Sequence, residues 1–161
     1  MARIARIVAP GCPHHVTARG NRREPIFFEE GDQEIYLDIL AEQVTKAKVA
    51  VWSYCLMPNH VHLILTPSDE AGMGRAMGAA HKRWAHFVNA RGRWRGHLFD
   101  ERYASVAMDE AHLLTAVRYV ALGTGTRTFH APPLVGETYA LQGQCEHVPR
   151  RPSLAFPADL A

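Results

Sequence analysis

At 161 residues, 47% hydrophobic and 21% charged, with a formal net charge of +2, the chain has the length and balance of one ordinary globular domain with a real core. No apolar run approaches the roughly 20 residues of a membrane span, and the opening MARIARIVAPG is too short and interrupted for a secretory signal. Three isolated cysteines, Cys12, Cys55 and Cys145, make neither a disulfide framework nor a CxxC zinc site, so a reducing cytoplasm is the expected setting.

The first element is HHVTAR (14–19), which alternates as a strand does and is broken by GNRREP. From Asp32 to Lys48 the apolar positions Ile35, Leu37, Ile39, Leu40, Val44 and Ala47 include helical spacings, which predicts an amphipathic helix. VAVWSYCLM (49–57) is β-branched and aromatic, hence a strand; Pro58 and Asn59 are turn residues, and the apolar run HVHLIL follows at once. Those two strands should form an antiparallel hairpin. GMGRAMGAAHKRWAHFVNA (72–90) reads as a helix that its glycines weaken, and LFDERYASVAM (98–108) as a strand. DEAHLLTAVRYVAL (109–122) predicts a helix with Asp109 as N-cap and Glu110 in its first turn.

The order is β-α-β-β-α-β-α, and its first six elements match a ferredoxin-like α+β core: an antiparallel sheet with helices on one face. An extra helix follows it at the C-terminal end. From Gly123 on, the texture changes: residues 123–161 hold five prolines and four glycines with little periodicity. Residues 1–122 therefore read as the domain and residues 123–161 as a loosely structured, Pro/Gly-rich tail.

Charge is distributed unevenly. No acidic residue occurs from Ala71 to Phe99, yet Arg75, Lys82, Arg83, Arg91, Arg93 and Arg95 all do, and a second basic knot (Arg19, Arg22, Arg23) follows the first strand. Phosphate backbones attract such patches through counterion release. Trp84, Phe87, Trp94 and His97 are interleaved with the arginines, which suits stacking on unpaired bases, although Trp84 and Phe87 are also spaced as helix core residues. The candidate DNA contacts are Arg19, Asn21, Arg22, Arg23, Lys82, Arg83, Arg91, Arg93 and Arg95.

The stretch MPNHVHLIL places His60 and His62 two apart in a strand, so they share one face while Val61 and Leu63 take the other. Two neutral imidazoles side by side can hold a metal ion. A pair of half-exposed strand histidines without a ligand satisfies the same pattern.

HVTARGNRREPIF, MPNHVHLIL and GHLFDERYASVAMDEAHLLTAVRYVAL, in that order, resemble successive landmarks of the REP-associated tyrosine transposases, small single-tyrosine HUH transposases that act on single-stranded DNA. The likeness spans about residues 10 to 122. It implies a ferredoxin-like core, a bacterial cytoplasmic setting, and a divalent metal, Mg²⁺ or Mn²⁺, on His60 and His62. It also implies a nucleophilic Tyr119 that cuts single-stranded DNA through a covalent 5′-phosphotyrosine. The implied partner is single-stranded DNA, often beside a hairpin, with the protein a monomer or homodimer and no membrane involved. Tyr103, on the last predicted strand, is the second candidate nucleophile.

One departure follows the tyrosine. Family members usually carry Asn four residues on, in an NPVRAG-like stretch, to help complete the metal site; here position 123 is glycine and the chain runs GTGTRTFHAPPLVG. DNA oxygens and water, His130 or another tail residue could complete the site, or catalysis could be impaired. A domesticated protein that binds hairpin DNA without efficient cleavage is therefore the alternative reading. A zinc module drawn from Cys12, His14, His15, Cys55, His60 and His62 is a third, although the spacings match no compact zinc pattern.

Overall fold

The computed structural model describes residues 8–109, 112, 113, 115, 116, 128 and 129. The alternation of HHVTAR yields β1 (His14–Arg19), which buries His14, Val16 and Ala18 and leaves the residues between them more open. Gly31, left-handed at φ 87°, turns the chain into α1 (Asp32–Lys46), whose buried Tyr36, Leu40 and Val44 recur every fourth residue. The helix ends slightly earlier than its apolar pattern predicts, because Lys48 takes a left-handed φ of 54° to start the next strand. β2 (Val49–Met57) and β3 (His60–Pro67) form the expected hairpin, closed by Pro58 and Asn59 with Met57 opposite His60. α2 (Gly72–Gly92) buries Met73, Ala76, Met77, Ala80, Trp84 and Val88, a helical stripe.

The sheet is antiparallel throughout and includes β4 (Ala104–Ala107) and β5 (Thr128–Phe129), in the order β4-β1-β3-β2-β5. Its first four strands have the expected ferredoxin-like topology. Val16 and Ala18, Val51, Tyr54 and Leu56, and Val61, Leu63 and Leu65 join residues of both helices in one apolar core. Each large side chain so buried contributes about 1.5–3 kcal/mol. Trp84 is fully buried there and its Nε1–H donates to the Ile26 carbonyl at 3.0 Å, so it is a core residue and not a base-stacking surface.

Two expectations change in detail. The predicted strand 98–108 shortens to Ala104–Ala107, with Phe99 retained only as an isolated bridge to Gly20. Asp100, Glu101 and Arg102 are consecutive, exposed charges, and such a run cannot alternate onto a buried face. Thr128 and Phe129, inside the segment read as a tail, pair with Cys55 and Tyr54 on the edge of β2; the rest of 123–161 lies outside the described residues. Among the described residues, no helix is long and apolar enough to cross a membrane.

The other face of the sheet has a smaller cluster of Cys55, Ile64, Met108 and Leu113, with Ala116 packed against it. The backbone N–H of Met108 donates to the Pro13 carbonyl, and the Asp109 carboxylate accepts the His112 N–H at 2.8 Å. Asp109 is thus the N-cap that the sequence predicts, and His112, Leu113, Thr115 and Ala116 are helical. The helix begins on the face that α1 and α2 leave uncovered.

Candidate functional site

On that open face His60 and His62 lie side by side as the two-residue spacing requires, their rings edge-to-face with centroids 4.9 Å apart. The antiparallel register places Thr17 opposite His62 and Arg19 opposite His60. His15, diagonal to His62 across the β1–β3 ladder, stacks on it at a 21° interplanar angle, and His15 Nε2 lies 3.0 Å from His62 Nδ1. The pair is therefore a group of three imidazoles. The sequence alone offered His15 as part of a zinc module; what marks it as a site residue is the β1–β3 register, which puts it on the histidine face.

His60 is fixed from the turn before it. The Asn59 side-chain oxygen lies 2.6 Å from His60 Nδ1, while the Asn59 amide nitrogen donates to the Arg23 carbonyl at 3.1 Å. An amide oxygen only accepts, so His60 Nδ1 carries the proton and Nε2 keeps its lone pair. Burial pushes all three imidazoles below the ordinary histidine range: His15 by burial alone, and His60 with help from the Arg19 charge. His62 falls furthest, to about 4, through burial, then His15, His60 and Arg19. Neutral imidazole is the form that binds a metal.

The residues present fit a divalent cation through the chemistry of neutral imidazole, and His60 Nε2 and a ring nitrogen of His62 would hold it. Among the described residues, no group of three His, Cys, Asp or Glu side chains is arranged to hold a metal ion. Its remaining ligands would come from water, DNA oxygens or residues outside that set. The zinc reading fails on geometry. His14 points into the opposite layer, where Nδ1–H donates to the Cys12 carbonyl at 2.8 Å and Nε2 accepts the Ala9 N–H.

The basic knot after β1 lies beside the histidines and is bonded to the stretch that follows the second basic run. Asn21 N–H donates to the Leu98 carbonyl and Asp100 N–H to the Arg19 carbonyl, both within 3.0 Å, and Gly20 N–H donates to Asn59. Gly20 has to be glycine, since a Cβ there would sit 2.1 Å from the Glu24 carbonyl oxygen. Arg22, Arg23 and Arg93 adopt left-handed backbone at φ 54°, 64° and 53°, a local strain that recurs where a structure positions functional side chains. Trp94 is 52% exposed and Phe28 41%, and their rings meet edge-on at 4.9 Å on this rim.

The candidate contacts divide accordingly. Arg19, Arg22, Arg23, Lys82, Arg93 and Arg95 are exposed and, among the described residues, in no ion pair. Arg83 instead pairs with Glu42. Arg91 forks onto the carboxylate of Asp32 at 2.7 and 2.8 Å and reaches Glu29 at 3.2 Å. Asp32 is 1% exposed and also accepts the N–H groups of Phe28 and Glu29. Burial alone would raise its pKa, but these bonds outweigh burial and hold it below the usual carboxylate range. Arg91 is thus a structural cation that anchors the loop before α1.

The tyrosines divide as well. Tyr36, Tyr54 and Tyr103 all belong to the core on the helix-covered side, and the Tyr36 hydroxyl bonds His81 Nε2 at 3.2 Å. Tyr103, the second candidate nucleophile, is 6% exposed there, across the sheet from the histidines. Tyr119, Tyr139, Gly123 and His130 lie outside the described residues.

Comparison with known proteins gives the same frame. The model of the family described as "Transposase IS200 like" matches residues 9–122. A REP-associated tyrosine transposase solved bound to a REP hairpin superposes with a TM-score of 0.60 at 18% identity, covering 74% of this chain and 70% of that one. A putative transposase from Deinococcus radiodurans R1 gives 0.51 at 20% identity, over 74% and 95%. No curated protein matches. The sheet order and the 114-residue span of the family match agree, and the chain belongs to the IS200-like transposase family of DNA-processing proteins.

Proposed function

We propose that this transposase nicks single-stranded DNA and transfers the strand at the open face of the sheet, with Tyr119 as nucleophile and His60 and His62 as ligands of Mg²⁺ or Mn²⁺. The observation that carries the reading is the three-imidazole group beside an exposed basic rim, on the face where the 109–122 helix begins. On the helix expected there, Tyr119 comes one turn after Ala116, which packs on that face. The three described tyrosines belong to the opposite layer, which leaves Tyr119 and Tyr139, and the family resemblance assigns the role to Tyr119.

In this mechanism the Tyr119 oxygen attacks the scissile phosphorus and gives up its proton. The P–O3′ bond breaks, a free 3′-hydroxyl leaves with a proton, and the 5′-phosphate stays on the tyrosine. Attack of another 3′-hydroxyl reverses the step, so strands are rejoined without ATP. A phenol with pKa near 10 is a weak nucleophile, and a divalent cation supplies polarisation of the phosphate oxygens and in-line orientation. Asn59 holds His60 in the tautomer whose Nε2 is free to bind. Arg19, Asn21, Arg22, Arg23, Arg93 and Arg95 hold the DNA backbone, with Lys82 and Arg83 at the margin, and Trp94 offers an exposed ring to an unpaired base. The working unit is residues 1–122, to whose sheet the segment 123–161 adds the edge strand β5. The hairpin in the REP-associated relative suggests that the substrate carries one too.

The glycine at position 123 supports the second reading, a hairpin-binding protein with impaired cleavage. One assay separates the two. Wild-type protein with Mg²⁺ or Mn²⁺ and a labelled single-stranded oligonucleotide carrying a hairpin should form a covalent adduct, and Tyr119→Phe should form none while binding DNA normally. Adduct from Tyr119→Phe removes the nucleophile assignment; DNA binding without adduct in the wild type establishes the second reading.

A further inference from the structure

The geometry points to His15 as a positioning residue for the metal site, doing for His62 what Asn59 does for His60. The inference rests on the metal reading above and concerns a residue that this reading does not use. A histidine that ligates through one ring nitrogen is oriented by the partner of the other, and that partner also fixes the tautomer. His60 has such a partner in the Asn59 oxygen at Nδ1. At His62 the Nδ1 atom lies 3.0 Å from His15 Nε2, within hydrogen-bond range, and the near-parallel stack limits rotation of both rings.

The proton assignment follows from the chemistry. Were His62 to hold the cation through Nε2, its Nδ1 would have to carry the proton and donate to the lone pair of His15 Nε2. Both ligands then present the same ring atom, Nε2, from adjacent positions on one strand face. The partners come from different elements: Asn59 from the turn tied to Arg23, and His15 from β1, forty-seven residues away in sequence. His14, its neighbour, cannot substitute, because both of its ring nitrogens are bonded to backbone in the other layer.

The test is Mn²⁺ binding measured by calorimetry on the full chain without DNA, comparing wild type with His62→Ala, His15→Phe and His15→Gln. His15→Phe keeps a stacking ring but removes the acceptor, whereas Gln restores an acceptor near the position of Nε2. The expected result is binding by the wild type, none by His62→Ala, binding weakened about 10–100-fold by His15→Phe, and most of it regained by His15→Gln. If His62→Ala abolishes binding but His15→Phe matches wild type, the role of His15 is overturned while the metal reading stands. If His15→Gln loses binding as fully as His62→Ala, His15 is a ligand and the positioning role is wrong. No Mn²⁺ binding by the wild type overturns both. Imidazole ¹⁵N spectra of the Mg²⁺-loaded protein supply a readout independent of the variants' stability: the proton of His62 should sit on Nδ1, and a proton on Nε2 contradicts the assignment.

Discussion

The two faces of the β1–β3 ladder are built from alternate residues of the same six-residue and eight-residue strands, yet they do opposite things. On the covered face Val16, Ala18, Val61, Leu63 and Leu65 meet both helices, and even the polar His14 has both nitrogens bonded to backbone. On the open face His15, Thr17, Arg19, His60 and His62 carry polar groups, and the imidazoles contact one another and, at His60, Asn59 as well. A strand of period two lets one short sequence specify an apolar layer and a polar layer at once. Substitutions on the covered face should therefore act through stability, and those on the open face through chemistry.

The comparison predicts its largest stability effect at Trp84. Trp84→Ala should cost about 3–5 kcal/mol, since it empties a fully buried site and leaves the Ile26 carbonyl without its donor. Denaturant unfolding measures it; a loss below about 1 kcal/mol would mean that this layer is not the main source of stability.

Arg91 sharpens the contrast with the other arginines. Arg91→Ala leaves the buried Asp32 carboxylate with only the Phe28 and Glu29 N–H groups and should destabilise by about 2 kcal/mol. Arg93→Ala and Arg95→Ala, exposed and unpaired among the described residues, should stay within about 0.5 kcal/mol of wild type. Their effect should appear in DNA binding instead, lowering the log–log salt slope by about 0.7 for each lost contact on single strands. A salt slope unchanged in the Arg93 and Arg95 variants would move the DNA surface elsewhere.

A smaller effect concerns pH and touches both layers. His81, bonded to Tyr36 in the covered layer, and His62 on the open face are each held at about 4, chiefly by burial. Both take up protons more readily when unfolded, at the ordinary value near 6.5. Their contribution is thus fully present above about pH 6.5 and is lost as pH falls toward about 4. Unfolding free energies at pH 7 and pH 5 should differ in that direction, and His81→Gln, which keeps an acceptor for Tyr36, should flatten the difference. Stability that rises on acidification would contradict it.

Local pattern made most of the fold legible. β1, β2 and the β2–β3 hairpin appear where alternation and Pro58–Asn59 put them, and Asp109 caps the helix it was expected to cap. What was not legible depends on partners distant in sequence. Nothing local distinguishes His15 from His14 as a site residue, because the difference arises when β1 and β3 take their register. Arg91 reads like Arg93 until Asp32, fifty-nine residues earlier, arrives beneath it. Tyr103 could be set aside only once its side of the sheet was known.

The most direct measurement pairs melting temperature with covalent adduct yield in His62→Ala. His62 is half-buried on the open face, outside the apolar core. The account predicts a melting temperature within a few degrees of wild type, a loss of about 1 kcal/mol or less, with adduct on a single-stranded hairpin oligonucleotide reduced to background in Mg²⁺ or Mn²⁺. A His62→Ala protein that forms adduct at the wild-type level in the same metal would contradict the claim that this face carries the chemistry.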